Sequence, residues 1–99
     1  MTIEIKRNSE EIVVVLVGRL DTTTAPALEE TVNDFPGDVK NIVFDFKGLE
    51  YISSAGLRVL LNTQKNYYKK GSMKLINVCE SVTEVLEMTG FADILVIER

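Results

Sequence analysis

Two serines followed by a small pair, Ser53-Ser54-Ala55-Gly56, form the segment whose residue types could do chemistry. They stand where a β-branched stretch gives way to a helical pattern. A hydroxyl at a helix start can accept one of the first unpaired backbone N–H groups, so one serine there is explained as a cap. Two in a row, with a glycine inside the first turn, are explained less economically. Gly56 costs the helix about 0.8–1 kcal/mol relative to alanine. It also permits another backbone or a large group to approach closely. The alternative explanation is a phosphate site. The first turn of a helix aims N–H groups and the positive end of its dipole outward, where they would hold a phosphate or tolerate a phosphoserine. These residues alone leave capping and phosphate chemistry both open.

Asp21 and Asp45 are the carboxylates that could join them. Asp21 ends an apolar run and precedes Thr22-Thr23-Thr24, and Asp45 lies inside a second run. If the two runs are parallel strands, Asp21 and Ser54 share the carboxyl edge of the sheet, where α/β domains place their sites. Each carboxylate also has a structural explanation: Asp21 as a turn residue, Asp45 at an edge or bonded to a neighbouring loop. Carboxylates near a serine raise the question of a hydrolase. The chain has no histidine, so no imidazole base can activate a serine, and Ser-Ser-Ala-Gly is not a Gly-x-Ser-x-Gly elbow. No catalytic residue is assigned, and the chain is expected not to be an enzyme. One cysteine, Cys79, allows neither an internal disulfide nor a thiolate zinc site. It is expected to be a buried small apolar residue with no depressed pKa. No metal or cofactor is expected, and no Gly-x-x-x-x-Gly-Lys-[Ser/Thr] loop is present for a nucleotide.

The elements that must position these residues fit one domain over residues 1–99. Eleven basic residues stand against 15 acidic ones, for a net charge of −4. That balance argues against nucleic acid, which needs a basic face. Lys65, Lys69, Lys70 and Lys74 cluster, and they are expected on the exposed face and end of a helix. The longest apolar run, Ile12 to Val17, is too short for a membrane span. The start, Met1-Thr2-Ile3-Glu4, does not resemble a secretory leader. A cytoplasmic location is therefore expected.

Alternation at Ile3 and Ile5 predicts a half-buried strand, hairpinned through Asn8-Ser9-Glu10 to a second strand over Ile12–Val17. That second run is continuously apolar, as in a central or doubly buried strand, and Gly18 is expected to end it. A helix is predicted from about Thr24 to Asn33, with Ala27, Leu28 and Val32 inward. The third strand is Asn41–Phe46, parallel to the second through a right-handed crossover. Lys47–Ile52 reads as a connecting loop with Leu49 and Ile52 tucked under the sheet. The longest helix opens at Ser53–Gly56, carries Leu57, Leu60, Leu61 and Gln64 on one face, and ends near Gly71. A strand over Met73–Val78 follows, then a helix through Val82, Val85, Leu86 and Met88, opened by a capping box at Ser81–Glu84. Ile94–Ile97 is the last strand. Met73 and Met88 are expected in the core, and Phe91 under the last loop. The fold class is α/β: a mixed sheet of about five strands, with three to four helices mainly on one side and one face partly open.

The chain resembles the anti-sigma factor antagonists, small STAS-domain proteins of bacterial partner-switching systems. The resemblance runs over nearly the whole length. It rests on Val17-Gly18-Arg19-Leu20-Asp21, on Thr24-Ala25, and on Ile42-Val43-Phe44-Asp45-Phe46 and Leu49. Tyr51-Ile52-Ser53-Ser54-Ala55-Gly56-Leu57 carries it further, with Gly71, Leu75, Val82, Leu86, Gly90 and Phe91 behind. It implies a binding module whose unphosphorylated form holds an anti-sigma factor that is itself a serine kinase, freeing the sigma factor. The kinase phosphorylates one serine and so ends binding, and a metal-dependent serine phosphatase restores it. The motif places the acceptor at Ser54. The family often has Asp-Ser-Ser-Gly or Asp-Ser-Thr-Gly, so Ser53 stands in the aspartate position as a rival acceptor, and Ala55 replaces the second hydroxyl. The partner surface implied comprises Asp21, Thr22, Thr24, Ser53, Gly56, Leu57 and Arg58. The expected state is a monomer or weak dimer, without nucleic-acid or membrane partners. A constitutive STAS subunit, for instance of a transporter complex, is the alternative.

Overall fold

The computed structural model describes residues 1–98; Arg99 lies outside the described residues. The order of elements is β1 (Thr2–Asn8), β2 (Glu11–Leu20), α1 (Ala25–Asn33), β3 (Asn41–Ile52), α2 (Ser54–Tyr68), β4 (Ser72–Ile76), α3 (Glu80–Met88), a 3-10 turn (Phe91–Asp93) and β5 (Val96–Ile97). The strands form one mixed sheet in the order β1-β2-β3-β4-β5. Only β1 and β2 are antiparallel; the other pairs are parallel and joined through helices. This is the expected α/β class. The Asn8–Glu11 hairpin turns through Ser9 at a φ of 58°.

The continuous apolar run of β2 is not buried on both faces. Ile12, Val14 and Leu16 are buried, Val13 and Val15 are half-buried, and Val17 is 47% exposed. The inward set joins Ile42, Phe44, Phe46, Met73 and Leu75 in one core with residues of all three helices. The opposite face is partly open, as so few helices require. Gly18 does not end β2. It takes a φ of 108° at a shift in register, and the strand continues to Leu20.

That continuation explains the largest difference from the sequence expectation. Lys47–Ile52 is not a loop but the second half of β3, because Val17–Leu20 supply it with a partner strand. Val17 pairs Gly48, Gly18 pairs Leu49, Arg19 pairs Tyr51 and Leu20 pairs Ile52. Two register shifts let Leu49 and Ile52 both face inward, at 1% and 2% exposure. Period-2 alternation fails across such shifts, so the segment does not read as a strand.

Smaller corrections share one cause, since tertiary packing overrides local pattern. Ala27 is exposed and Ala25 is buried in its place, because Ala25, Leu28 and Val32 follow the i, i+3, i+7 spacing of one helix face. The inward face of α2 runs through Leu57, Leu60, Thr63 and Tyr67, with Val59; Leu61 and Gln64 sit on its flank. Helix α3 starts from Cys79 as N-cap, so Ser81 lies inside the first turn and the capping box does not form. Met88, on the outer side of α3, is 87% exposed, whereas Met73 is buried as expected. Phe91 packs against the core. Strand β4 ends at Ile76, β5 has only two residues, and Ile94 stands outside it, half exposed. Lys65, Lys69 and Lys70 are exposed, but Lys74 lies in β4, 3.6 Å from Glu98.

Leu49 contributes to the core on which this second half of β3 sits. Leu49→Ala should lower stability by about 2–5 kcal/mol, since a buried leucine leaves a cavity, whereas Glu50→Ala, at an exposed position, should change it by less than about 0.5 kcal/mol. Urea midpoints of the two variants check this.

Candidate functional site

The carboxyl ends of β2 and β3 and the start of α2 converge on one edge of the domain. The Ser53 N–H donates to the Leu20 carbonyl at 2.9 Å, tying the end of β2 to the entrance of α2. Gly56 lies buried against the same strands. A Cβ on it would come within 2.6 Å of Leu20 Cγ and 3.0 Å of Ile52 Cγ1. The glycine therefore serves close approach of α2 to the core. Gly56 and Leu57, at 5% exposure, lie behind the surface rather than on it.

The two serines have different environments. Ser53 is the N-cap of α2, with extended backbone, but its side chain makes no cap bond. Its Oγ is buried and has no partner. Ser54, the first helical residue, is exposed, and no described residue bonds its hydroxyl. Within the helix, the first bond is from the Leu57 N–H to the Ser53 carbonyl at 3.0 Å. The N–H groups before it lie outside the helical ladder, at the positive end of the dipole. Arg58, one turn beyond Ser54, is exposed, and among the described residues no carboxylate lies within ion-pair distance of it.

The Asp21–Thr24 turn stands beside this helix start and is internally satisfied. Asp21 Oδ1 accepts the Thr23 hydroxyl at 2.7 Å, the Thr23 N–H at 3.0 Å and the Thr24 N–H at 3.2 Å. The Thr23 hydroxyl foremost, with those N–H groups, holds the Asp21 carboxyl below the usual carboxylate range. Thr24 occupies the N-cap position of α1 without a side-chain cap bond. Its hydroxyl instead donates to the Arg19 carbonyl at 2.8 Å and accepts the Asp21 N–H at 2.8 Å. Thr22 is exposed at the tip. With Ala25, Pro26, Glu29, Ala55, Arg58, Val59 and Asn62 it lines a shallow groove of about 290 Å³ between α1 and α2.

Asp45 takes no part in this edge. Its Oδ1 accepts the Lys47 N–H at 3.0 Å and the Asn77 side-chain amide at 3.1 Å, the loop-bonding role. Cys79 differs from expectation. It is half-buried, and its Sγ lies 3.3 Å from Ser81 Oγ and 3.5 Å from the Leu49 carbonyl. The Ser81 hydroxyl and the N–H groups at the start of α3 hold the thiol below its ordinary value. Among the described residues no group of three His, Cys, Asp or Glu could hold a metal ion, and no helix is long and apolar enough to cross a membrane.

One neighbouring pair was not visible in the sequence. The Arg19 guanidinium lies 4.2 Å from the centre of the Tyr51 ring. The register shift that places them opposite each other has no short-range sequence signal.

Comparison with known proteins gives concordant results. The model of the STAS domain matches residues 2–99. An anti-sigma-B factor antagonist of Bacillus subtilis is 31% identical over 96 residues, covering 96% of this chain and 88% of the relative. A solved anti-sigma factor antagonist from Mycobacterium paratuberculosis has the same fold, with a TM-score of 0.88 at 23% identity, covering 98% of this chain and 84% of that one. The anti-sigma factor antagonist SpoIIAA matches in its unphosphorylated form with a TM-score of 0.77 at 19% identity, covering 99% and 87%. The phosphorylated form of Bacillus SpoIIAA matches with 0.76 at 20%, covering 97% and 90%.

Two outcomes follow from the geometry of this edge. Gly56→Ala gains about 1 kcal/mol of helix propensity but collides with the branch carbon of Leu20, so a net loss of about 1–2 kcal/mol is expected. A higher urea midpoint than the parent would refute the close-approach role. For Asp21, a depressed folded pKa contributes stability that is present above the ordinary carboxylate value and lost as pH falls through the folded value. Thr23→Ala should move the Asp21 carboxyl titration, followed by NMR, upward toward that ordinary value.

Proposed function

The chain belongs to the STAS domain family, and from that membership we propose that it is a cytoplasmic anti-sigma factor antagonist switched by phosphorylation of Ser54. In this reading the unphosphorylated protein binds an anti-sigma factor that is also a serine kinase, and so releases a sigma factor. Phosphorylation of Ser54 ends the interaction, and a metal-dependent serine phosphatase reverses it. The chain itself carries out no catalysis.

The observation that carries the proposal is the contrast between the two serines. Ser54 presents an exposed, unbonded hydroxyl, whereas Ser53 Oγ is buried. A kinase needs an accessible hydroxyl, so Ser54 is the acceptor despite the missing aspartate at position 53. Neither serine makes the side-chain cap bond that would explain the pair structurally. Relatives at this identity are antagonists by name, and an antagonist of this fold exists in both unphosphorylated and phosphorylated forms.

The physical mechanism is interfacial. Phosphorylation adds about −1.5 to −2 charges at neutral pH. On the first residue of α2 that charge faces free N–H groups and the dipole's positive end, a contribution of about 0.3–1 kcal/mol in favour of the folded state. The fold therefore survives. A partner surface bearing carboxylates or apolar groups meets the same charge without compensation. A loss of 3–4 kcal/mol there is about a thousandfold in affinity.

Incubation with host lysate and Mg-ATP, followed by mass spectrometry, should place phosphate on Ser54. Ser53→Ala should leave it there, and Ser54→Ala should remove it. Ser54→Asp should bind the purified anti-sigma factor at least about 100-fold more weakly than Ser54→Ala, by calorimetry. Equal affinity of the two variants would defeat the switch and leave a constitutive binding module.

A further inference from the structure

Arg19 and Tyr51 form a pair that the Asp21 turn and the serines do not account for. They are registered across β2 and β3, and the guanidinium stacks on the ring. Leu20 and Ile52, the next residue on each strand, are buried in the core. Alternation therefore sends Arg19 and Tyr51 to the sheet face opposite the helices. Both are exposed. Stacking on an aromatic face holds a guanidinium in place while its N–H edge stays open to a partner.

The charge of Arg19 is unspent. Among the described residues the ion pairs are Arg7–Asp38, Lys40–Glu10 and Lys74–Glu98, none of which involves it. Asp21, two residues on, directs its carboxylate into its own turn. Val17 stands on the same strand and face, and its methyls cover Gly48, where a Cβ would come within 2.9 Å of them. The pair lies close to the switch edge along the chain, because Tyr51 precedes Ser54 by three residues, the Arg19 carbonyl accepts the Thr24 hydroxyl and the Leu20 carbonyl accepts the Ser53 N–H.

We propose that Arg19, held on Tyr51 and flanked by Val17, is a specificity-determining contact that takes a carboxylate on the anti-sigma factor. The inference rests on the function proposed above. Arginine and tyrosine are the residue types that dominate interface energetics, and a stacked guanidinium loses less freedom on binding than a free one. One acidic partner surface then accounts for two effects: attraction to Arg19, and rejection of the phosphate on Ser54 nearby. It also needs such a cation, since this chain carries a net charge of −4. Arg19 makes the contact, and Tyr51 is a positioning residue that acts through it.

The test is calorimetry of the full unphosphorylated chain against the purified anti-sigma factor of its host, at low and high salt. Arg19→Gln should bind about tenfold more weakly and Arg19→Glu roughly 100-fold. The gap between the parent and Arg19→Gln should narrow as salt rises. Tyr51→Leu should weaken binding several-fold, and Tyr51→Phe, which keeps the ring, should restore it. Lys6→Glu, on β1 and remote from the patch, should stay within about twofold. If Arg19→Glu binds like the parent while Ser54→Asp does not, the Arg19 contact is refuted and the switch stands. If Ser54→Asp and Arg19→Glu both bind like the parent, or the parent does not bind, the switch and the contact fail together. Should Arg19→Glu lower the urea midpoint, Arg19→Gln, which adds no charge, decides alone.

Discussion

A single backbone bond, from the Ser53 N–H to the Leu20 carbonyl, fixes the geometry on which this domain's surface depends. It joins the last residue of β2 to the N-cap of α2. Gly56 makes the joint possible, because any larger residue would push the helix away from Leu20 and Ile52. With that joint closed, the exposed serine, the Asp21 turn and the Arg19–Tyr51 pair share one edge. Without it, they would be separate features on separate elements.

The joint also decides what kind of switch this edge can be. Asp21 Oδ1 and the Thr24 hydroxyl are held by bonds within the turn and to the Arg19 carbonyl, and none of these bonds involves Ser54. The core beneath is packed, with Leu20 and Leu60 fully buried and Ile52 at 2% exposure. A device so built changes what it presents rather than how it is folded, which matches the role proposed for it.

The sequence made the element order, the class and the placing of Asp21 and Ser54 at one sheet edge legible, because hydrophobic periodicity and turn residues are local signals. It located Gly56 as exceptional, yet the cause is a neighbouring leucine rather than a ligand or a partner. It did not reveal that Lys47–Ile52 is a strand. The register shifts opposite Gly18 and Gly48 break the alternation by which strands are read, and a partner strand is a non-local fact. The separation of buried Ser53 Oγ from exposed Ser54 was equally hidden, since two identical side chains differ only in how the chain enters the helix. Cys79 was misjudged for a related reason: its hydrogen bonds come from a helix start that the false capping box placed two residues late.

The sheet is ordered as the chain is ordered, β1-β2-β3-β4-β5. No strand has to be inserted between two that are already paired. During synthesis, each strand therefore finds its neighbour finished before it emerges, and the sheet can grow at one border only. Chain closure in each crossover spans a single helix and its loops, which keeps the entropy of each step modest. The carboxyl edge of β2 and β3 is complete once α2 has docked, while β4, α3 and β5 are still to come. The surface proposed to meet partners is thus among the earliest parts of the molecule that can take its final form.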